Sequence, residues 1–220
     1  NGDERPTRSD RREAIHQDPG MTRWATRSRS GQITRLLVLL GSLTVCDHTI
    51  RAGEPPKKFS VIGYLPEYRA SGLDETACGQ LDELVFFSVE PRPDGTLDGT
   101  RLKPAVIKRL GQLKEKHRIR LRLCIGGWER SAAFAACTAD NAARARFIGQ
   151  MISFCQTHGF DGVDLDWEHP KGSAQQAAYT RLIVETKKAF TPLKLSVTAA
   201  IAGWQQLSPA AAEALDRIHL

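Results

Sequence analysis

The sequence predicts an α/β fold: a (β/α)8 TIM barrel, incomplete in this chain, with about five to six of the eight strands present. Three observations predict it, and a fourth weighs against the nearest alternative. Strand and helix signals alternate from residue 59 to residue 220. The strands read as continuous apolar runs, as in a parallel sheet covered by helices. No G-x-G-x-x-G follows the first strand, which weighs against a doubly wound dinucleotide-binding sheet. Polar and aromatic residues instead gather at successive strand ends, as they do at a barrel mouth.

The elements follow in order. FSVIGY (59–64) reads as the first strand and ELVFFSV (83–89) as the second, with a PDG turn at 93–95. Residues 104–117 form a helix with Val106, Ile107, Leu110 and Leu113 on one face. RLRLCI (120–125) is the third strand, stopped by Gly126-Gly127. Residues 141–158 give the clearest helix, capped by Asp140, closed by Gly159, and striped by Phe147, Ile148, Met151, Ile152 and Cys155. An acidic strand comes next. Residues 173–189 are helical, LKLSVTAAI (193–201) is the fifth strand, Ser208-Pro209 opens a short helix, and RIHL (217–220) begins a sixth strand.

Apolar residues make up 41% of the 220-residue chain and charged residues 25%, an ordinary globular profile. The pI of about 9.2 raises the question of a nucleic-acid partner. Residues 1–58 hold 11 of the 31 Lys+Arg and 7 of the 25 Asp+Glu, so the remainder is nearly balanced at 20 against 18. No phosphate-binding stripe is present, and no nucleic-acid partner is expected. Residues 1–20 read as a disordered polar extension or a mis-assigned upstream start. Residues 21–52 have the layout of a signal peptide: Arg23, Arg27, Arg29 and Arg35, then the apolar run Leu36 to Cys46. That run is shorter than the roughly 20 residues that cross a bilayer. Cleavage is placed at Ala52 or Cys46. The alternative is a disordered basic tail enclosing a Leu-rich segment. The export reading makes the protein secreted or held in the cell envelope, with no membrane contact beyond the signal. Of the five cysteines, Cys46 leaves with the leader; Cys78, Cys124, Cys137 and Cys155 show no C-x-x-C spacing. Export permits disulfides but fixes no pairing, and buried free thiols are an equal reading for Cys124 and Cys155.

The segment GFDGVDLDWEHP (159–170) puts Asp161, Asp164, Asp166 and Glu168 into one strand. Strand side chains alternate, so Asp164, Asp166 and Glu168 share one face and Val163, Leu165 and Trp167 the other. In a barrel the acidic set points inward, with Glu168 at the carboxyl end where such barrels keep their active sites. Same-face neighbours stand roughly 6.6 Å apart. Confined carboxylates at that spacing cannot all ionise, so one is left protonated, as a glycosidase's acid must be. The competing readings are an edge strand with a solvated acidic face and a divalent-metal site. Gly162 ahead of the run and Trp167 between the last two acids favour catalysis. Tyr64, Phe87, Trp128 and Trp204 lie at or just past strand ends, where flat rings either stack on sugars or pack the rim.

DGVDLDWE carries the D-G-x-D-x-D-W-E signature of glycoside hydrolase family 18, the chitinase family. VIGYLPEY, FFSVEPRPDGTL, LCIGGW and LSVTAAI resemble that family's first, second, third and fifth strands in order, so the resemblance spans about residues 59–220 and a partial barrel domain over 57–220. It implies a retaining, substrate-assisted hydrolysis of β-1,4-linked N-acetylglucosamine polymers, with no metal and no cofactor. Glu168 is then general acid and base, and the substrate's acetamide oxygen is the nucleophile. Asp166 holds the acetamide N–H, and Asp164 sits deeper and shares a proton with Asp166. The partner is chitin or an N-acetylglucosamine oligosaccharide. The alternatives are a non-catalytic chitinase-like lectin, an endo-β-N-acetylglucosaminidase acting on N-glycans, and a non-functional remnant. Cys124 stands where the family has Ser, and His169 where Tyr is common. The family's sixth-strand M-x-Y-D and eighth-strand Trp have no counterpart up to Leu220, so the chain is expected to be the amino-terminal portion of the enzyme, inactive and aggregation-prone alone.

Overall fold

The computed structural model describes residues 59–220. Residues 1–58, with the expected polar extension and export signal and with Cys46, lie outside the described residues. Strand β1 (Ile62–Pro66) leads through a 3-10 segment and helix α1 (Glu75–Cys78) to β2 (Glu83–Pro91) and a short β3 (Leu97–Asp98). Then come α2 (Pro104–His117), β4 (Arg120–Gly126), α3 (Phe134–Ala139), α4 (Asn141–His158) and β5 (Gly162–Asp166). Helix α5 (Gly172–Phe190), β6 (Ser196–Ala200), α6 (Pro209–Ala214) and β7 (Arg217–His219) complete the order.

Six parallel strands pair in the order β1-β2-β4-β5-β6-β7, and β3 adds an antiparallel partner to β2. The acidic strand β5 is thus interior to the sheet, between β4 and β6. That removes the edge-strand reading. The sheet curls into a half-barrel: the Tyr64 ring of β1 and the His219 ring of β7, at opposite ends of the strand path, lie 5.7 Å apart.

The strand faces divide as period-two alternation requires. Leu121, Leu123, Ile125, Val163, Leu165, Val197 and Ala199 join one helix-covered core with Phe147, Met151, Leu182, Ile183 and Phe190. Burying one such side chain contributes about 1.5–3 kcal/mol. Trp167 lies on this outer side, stacked on Phe134 at 5.2 Å and meeting Tyr179 edge-on at 5.4 Å. The α4 boundaries rest on local chemistry. Asp140 accepts from the Ala142 and Ala143 amides, and Gly159 closes the helix in the left-handed region at φ 74°.

Two strand starts differ from the sequence reading, and the strand ends differ by one or two residues. The first strand begins at Ile62 because the ladder opens with Ile62 opposite Glu83, while Val61 is occupied by the Asp82 carboxylate. The fifth begins at Ser196 because Pro192 sits in a 3-10 turn ended by Lys194 at φ 57°. The hairpin strand β3 and the short helices α1 and α3 carry too little periodicity to be read from sequence. The four described cysteines are free and buried, which decides for thiols over disulfides among them.

Candidate active site

The concave face is identified by side-chain contacts across it, several of them between strands that are not neighbours in the sheet. Nearest the strand starts, Glu83 of β2 is fully buried and receives both Nε (2.7 Å) and Nη2 (2.8 Å) of Arg122. Arg122 also donates to Ser196 Oγ at 2.7 Å, and Arg217 reaches Glu83 at 3.4 Å. Burial pushes the Glu83 pKa up, but the Arg122 hydrogen bonds and the charges of Arg122, Arg217 and Arg120 outweigh it and hold the carboxyl below its usual range. Sequence reading missed this layer. Its signal is the charge at alternate positions of otherwise apolar runs, Glu83 in ELVFFSV and Arg122 in RLRLCI.

One layer higher, Asp164 is fully buried. Tyr64 donates its hydroxyl to Asp164 Oδ2 at 2.7 Å, and Thr198 donates to Oδ1. His219 Nε2 stands 3.8 Å from Asp164 Oδ1. Tyr64 is therefore a hydrogen-bond partner of the inner carboxylate. Burial, then the Asp164 charge and hydrogen bond, push its phenol pKa up, so it stays a donor. Cys124, opposite Asp164 in the β4–β5 register, is buried; desolvation and then Asp164 and Asp166 raise its thiol well above the ordinary value. Thr198 and His219 were not singled out from sequence, because only the curl of the sheet brings β6 and β7 to Asp164.

Asp166 lies above Asp164 at the end of β5, and Glu168 follows past the strand with its side chain 24% exposed. Burial, then the Glu168 and Asp164 charges and a hydrogen bond with Glu168, push the Asp166 carboxyl up to about 7. Asp166 thus favours its protonated form far more than an ordinary aspartate does, with Glu168 beside it. Asp161, the fourth acid, stands apart at the strand's start, bound to Lys114 at 2.6 Å and to the Leu121 amide at 2.9 Å. Among the described residues no group of three or more His, Cys, Asp or Glu is arranged to hold a metal ion.

The glycine pair after β4 explains how the mouth is built. Gly126 and Gly127 take φ of 94° and 97°, and a Cβ on Gly126 would stand 2.3 Å from the Asp166 carbonyl oxygen. The Gly127 amide donates to that carbonyl at 2.7 Å. Ser131 Oγ lies 2.9 Å from the same oxygen and accepts the Glu168 amide at 3.0 Å. The β4 loop therefore fixes the backbone on both sides of Trp167.

The aromatic rings divide. Phe87 is partly buried, with the Arg130 guanidinium 5.3 Å from its ring centre, and Arg130 is anchored by Glu67 and Ser88. Trp128 and Trp204 are each 70% exposed. Trp204 meets the His169 ring at 4.7 Å, and His169 Nε2 is 3.9 Å from Glu168 Oε2. A cleft of about 330 Å³ opens beside Glu168, between the 129–132 loop and residues 167–175, which run into the start of α5. A larger cavity, about 520 Å³, lies between α5 and residues 206–208 and contains none of the carboxylates.

A parallel β/α half-barrel with a carboxylate series rising along one central strand to its carboxyl end is the architecture of a barrel glycosidase. The comparisons agree: the model of the glycosyl hydrolases family 18 matches residues 60–220, and the chain belongs to that family. It is 38% identical over 104 residues to a probable endochitinase of Caenorhabditis elegans, covering 43% of this chain and 17% of that protein. It is 34% identical over 139 residues to probable chitinase 2 of Drosophila melanogaster, covering 61% of this chain and 27% of that protein. In fold it is similar to the Ostrinia furnacalis Group IV chitinase solved with allosamidin, at a TM-score of 0.65 and 21% identity, over 73% of this chain and 50% of that one. A family 18 N-acetylglucosaminidase of Paenibacillus barengoltzii gives a TM-score of 0.66 at 20% identity, over 73% and 52%. The chain spans about half the length of these structures and 27% or less of these two curated relatives.

Proposed function

We propose that the protein carrying this chain is an exported chitinase that cleaves β-1,4-linked N-acetylglucosamine chains with retention, assisted by the substrate's own acetamide. The observation that carries the reading is the carboxylate series itself: Asp164 and Asp166 buried along β5, and Glu168 just past its carboxyl end, partly exposed at the mouth. In this reading Glu168, carrying the proton it shares with Asp166, protonates the glycosidic oxygen while the acetamide carbonyl oxygen attacks the anomeric carbon and the leaving chain departs, which leaves Asp166 ionised. The resulting oxazolinium is steadied by Asp166 at its N–H. Water then gives a proton to Glu168 and its oxygen to the anomeric carbon, which regenerates the acetamide and the acid. Asp164 anchors the series from below. The exposed faces of Trp128 and Trp204 offer platforms for sugar rings. The relatives named as chitinases support chitin as the polymer, and the basic, Leu-rich leader of residues 21–52 supports export.

Glu168→Gln in the whole protein should lower kcat on chito-oligosaccharides by at least about 100-fold with little change in KM, the mark of a group acting in the transition state. Unchanged turnover removes Glu168 from the role. Wild-type cleavage of matched oligosaccharides that lack the acetamide, at an equal rate, rules out substrate assistance. Preference for glycoprotein N-glycans over chitin oligomers changes the polymer and keeps the chemistry.

A further inference from the structure

One buried titratable group in the half-barrel has no part in the chemistry above. His219 of β7 points into the concave face, its side chain 14% exposed. Its Nε2 is buried and has no hydrogen-bond partner among the described residues. That nitrogen lies 3.8 Å from Asp164 Oδ1, the oxygen that also accepts from Thr198. The edge of the imidazole meets the Tyr64 ring, whose hydroxyl holds the other Asp164 oxygen. A histidine thus contacts the inner carboxylate directly and one of its two hydroxyl donors through the ring.

We propose that His219 is a positioning residue for the carboxylate series: protonation of its imidazole places a cation against Asp164 and so lessens the negative field that Asp164 exerts on Asp166. The proposal rests on the hydrolytic reading of Asp164, Asp166 and Glu168. The groups that face His219 bear on it from every side. Burial lowers its pKa most, Asp164 of β5 and Glu83 of β2 oppose that, and Arg217 of β7 and Arg122 of β4 add to it. Tyr64 of β1 and Thr198 of β6 face Asp164 as neutral donors. Protonation turns the His219–Asp164 contact from a net negative charge to a neutral pair. The Asp166 proton is then held less tightly, and uptake of a second proton by the series is displaced to lower pH.

Two measurements on the whole protein test this. In the first, histidines are labelled with 13C at Cε1 and titrated by NMR, with His219 assigned from the resonance lost in His219→Asn or, if that variant does not fold, in His219→Gln. The His219 midpoint should lie below the ordinary value of about 6.5, and Asp164→Asn should lower it by at least about half a pH unit by removing the charge that favours the imidazolium. A midpoint unmoved by Asp164→Asn overturns the proposal. In the second, the acid limb of kcat for chito-oligosaccharide cleavage should move to higher pH by about half a unit in His219→Asn, with KM changed less than about twofold. A fall in kcat with the limb in place shows a merely structural role and also overturns it. Absence of hydrolysis by the wild type defeats the chitinase reading alone, and the NMR titration still decides whether His219 and Asp164 are coupled.

Discussion

At the scale of single residues, the three carboxylates of the acidic segment differ because their surroundings differ. Asp164 accepts from two hydroxyls, while Asp166 is hydrogen-bonded to another carboxylate, Glu168. The Asp166 shift has a consequence for stability. A carboxyl whose pKa is raised on folding stabilises the native state fully below its unfolded value of about 3.9, and that contribution is lost as pH rises through about 7. Asp166→Asn should therefore flatten the fall in unfolding free energy between about pH 4 and 7, a slope of at most about 1.4 kcal/mol per pH unit. Urea denaturation across that range measures it. An equally steep fall in the variant places the titrating group elsewhere.

At the scale of elements, the loop after β4 positions the end of β5. Gly126 and Gly127 let the two backbones approach, and Ser131 bonds on both sides of Trp167. Ser131→Ala removes these bonds and should cost about 1 kcal/mol of stability, since one neutral hydroxyl is lost. Its effect on kcat should exceed its effect on KM, because Glu168 loses its fixed backbone. Thermal unfolding and steady-state kinetics check the two halves of that expectation. A second element-level device lies between β2 and β4. Arg122→Met leaves Glu83 buried without its main partner and should cost about 3–5 kcal/mol. The double variant with Glu83→Leu should recover most of that loss, because the buried charge goes with its partner. Chemical denaturation of both variants tests the sign of the recovery.

At the scale of the molecule, the sheet of residues 59–220 has β1 and β7 as the ends of its strand path, with no strand pairing between them. Unpaired strand edges template association. The 220-residue chain expressed by itself is expected to self-associate through these edges, with the apparent mass by light scattering rising with concentration. A single monomeric species across concentrations runs against it.

The fold class was legible because period-two and helical periodicities are local, and local patterning decides which face of each element is buried. The order of Asp164 and Asp166 along one face was legible for the same reason, since both lie in β5; Glu168, which alternation alone puts in the same strand, lies past its end. Family resemblance then added roles that alternation does not contain. The partners of those carboxylates were not legible. Tyr64, Thr198 and His219 reach Asp164 from three other strands, and Arg122 reaches Glu83 from a neighbouring one. Sequence distance carries no record of such meetings. They depend on how far a twisted sheet curls and which interior positions then face each other, and that is settled only when all the strands pack at once.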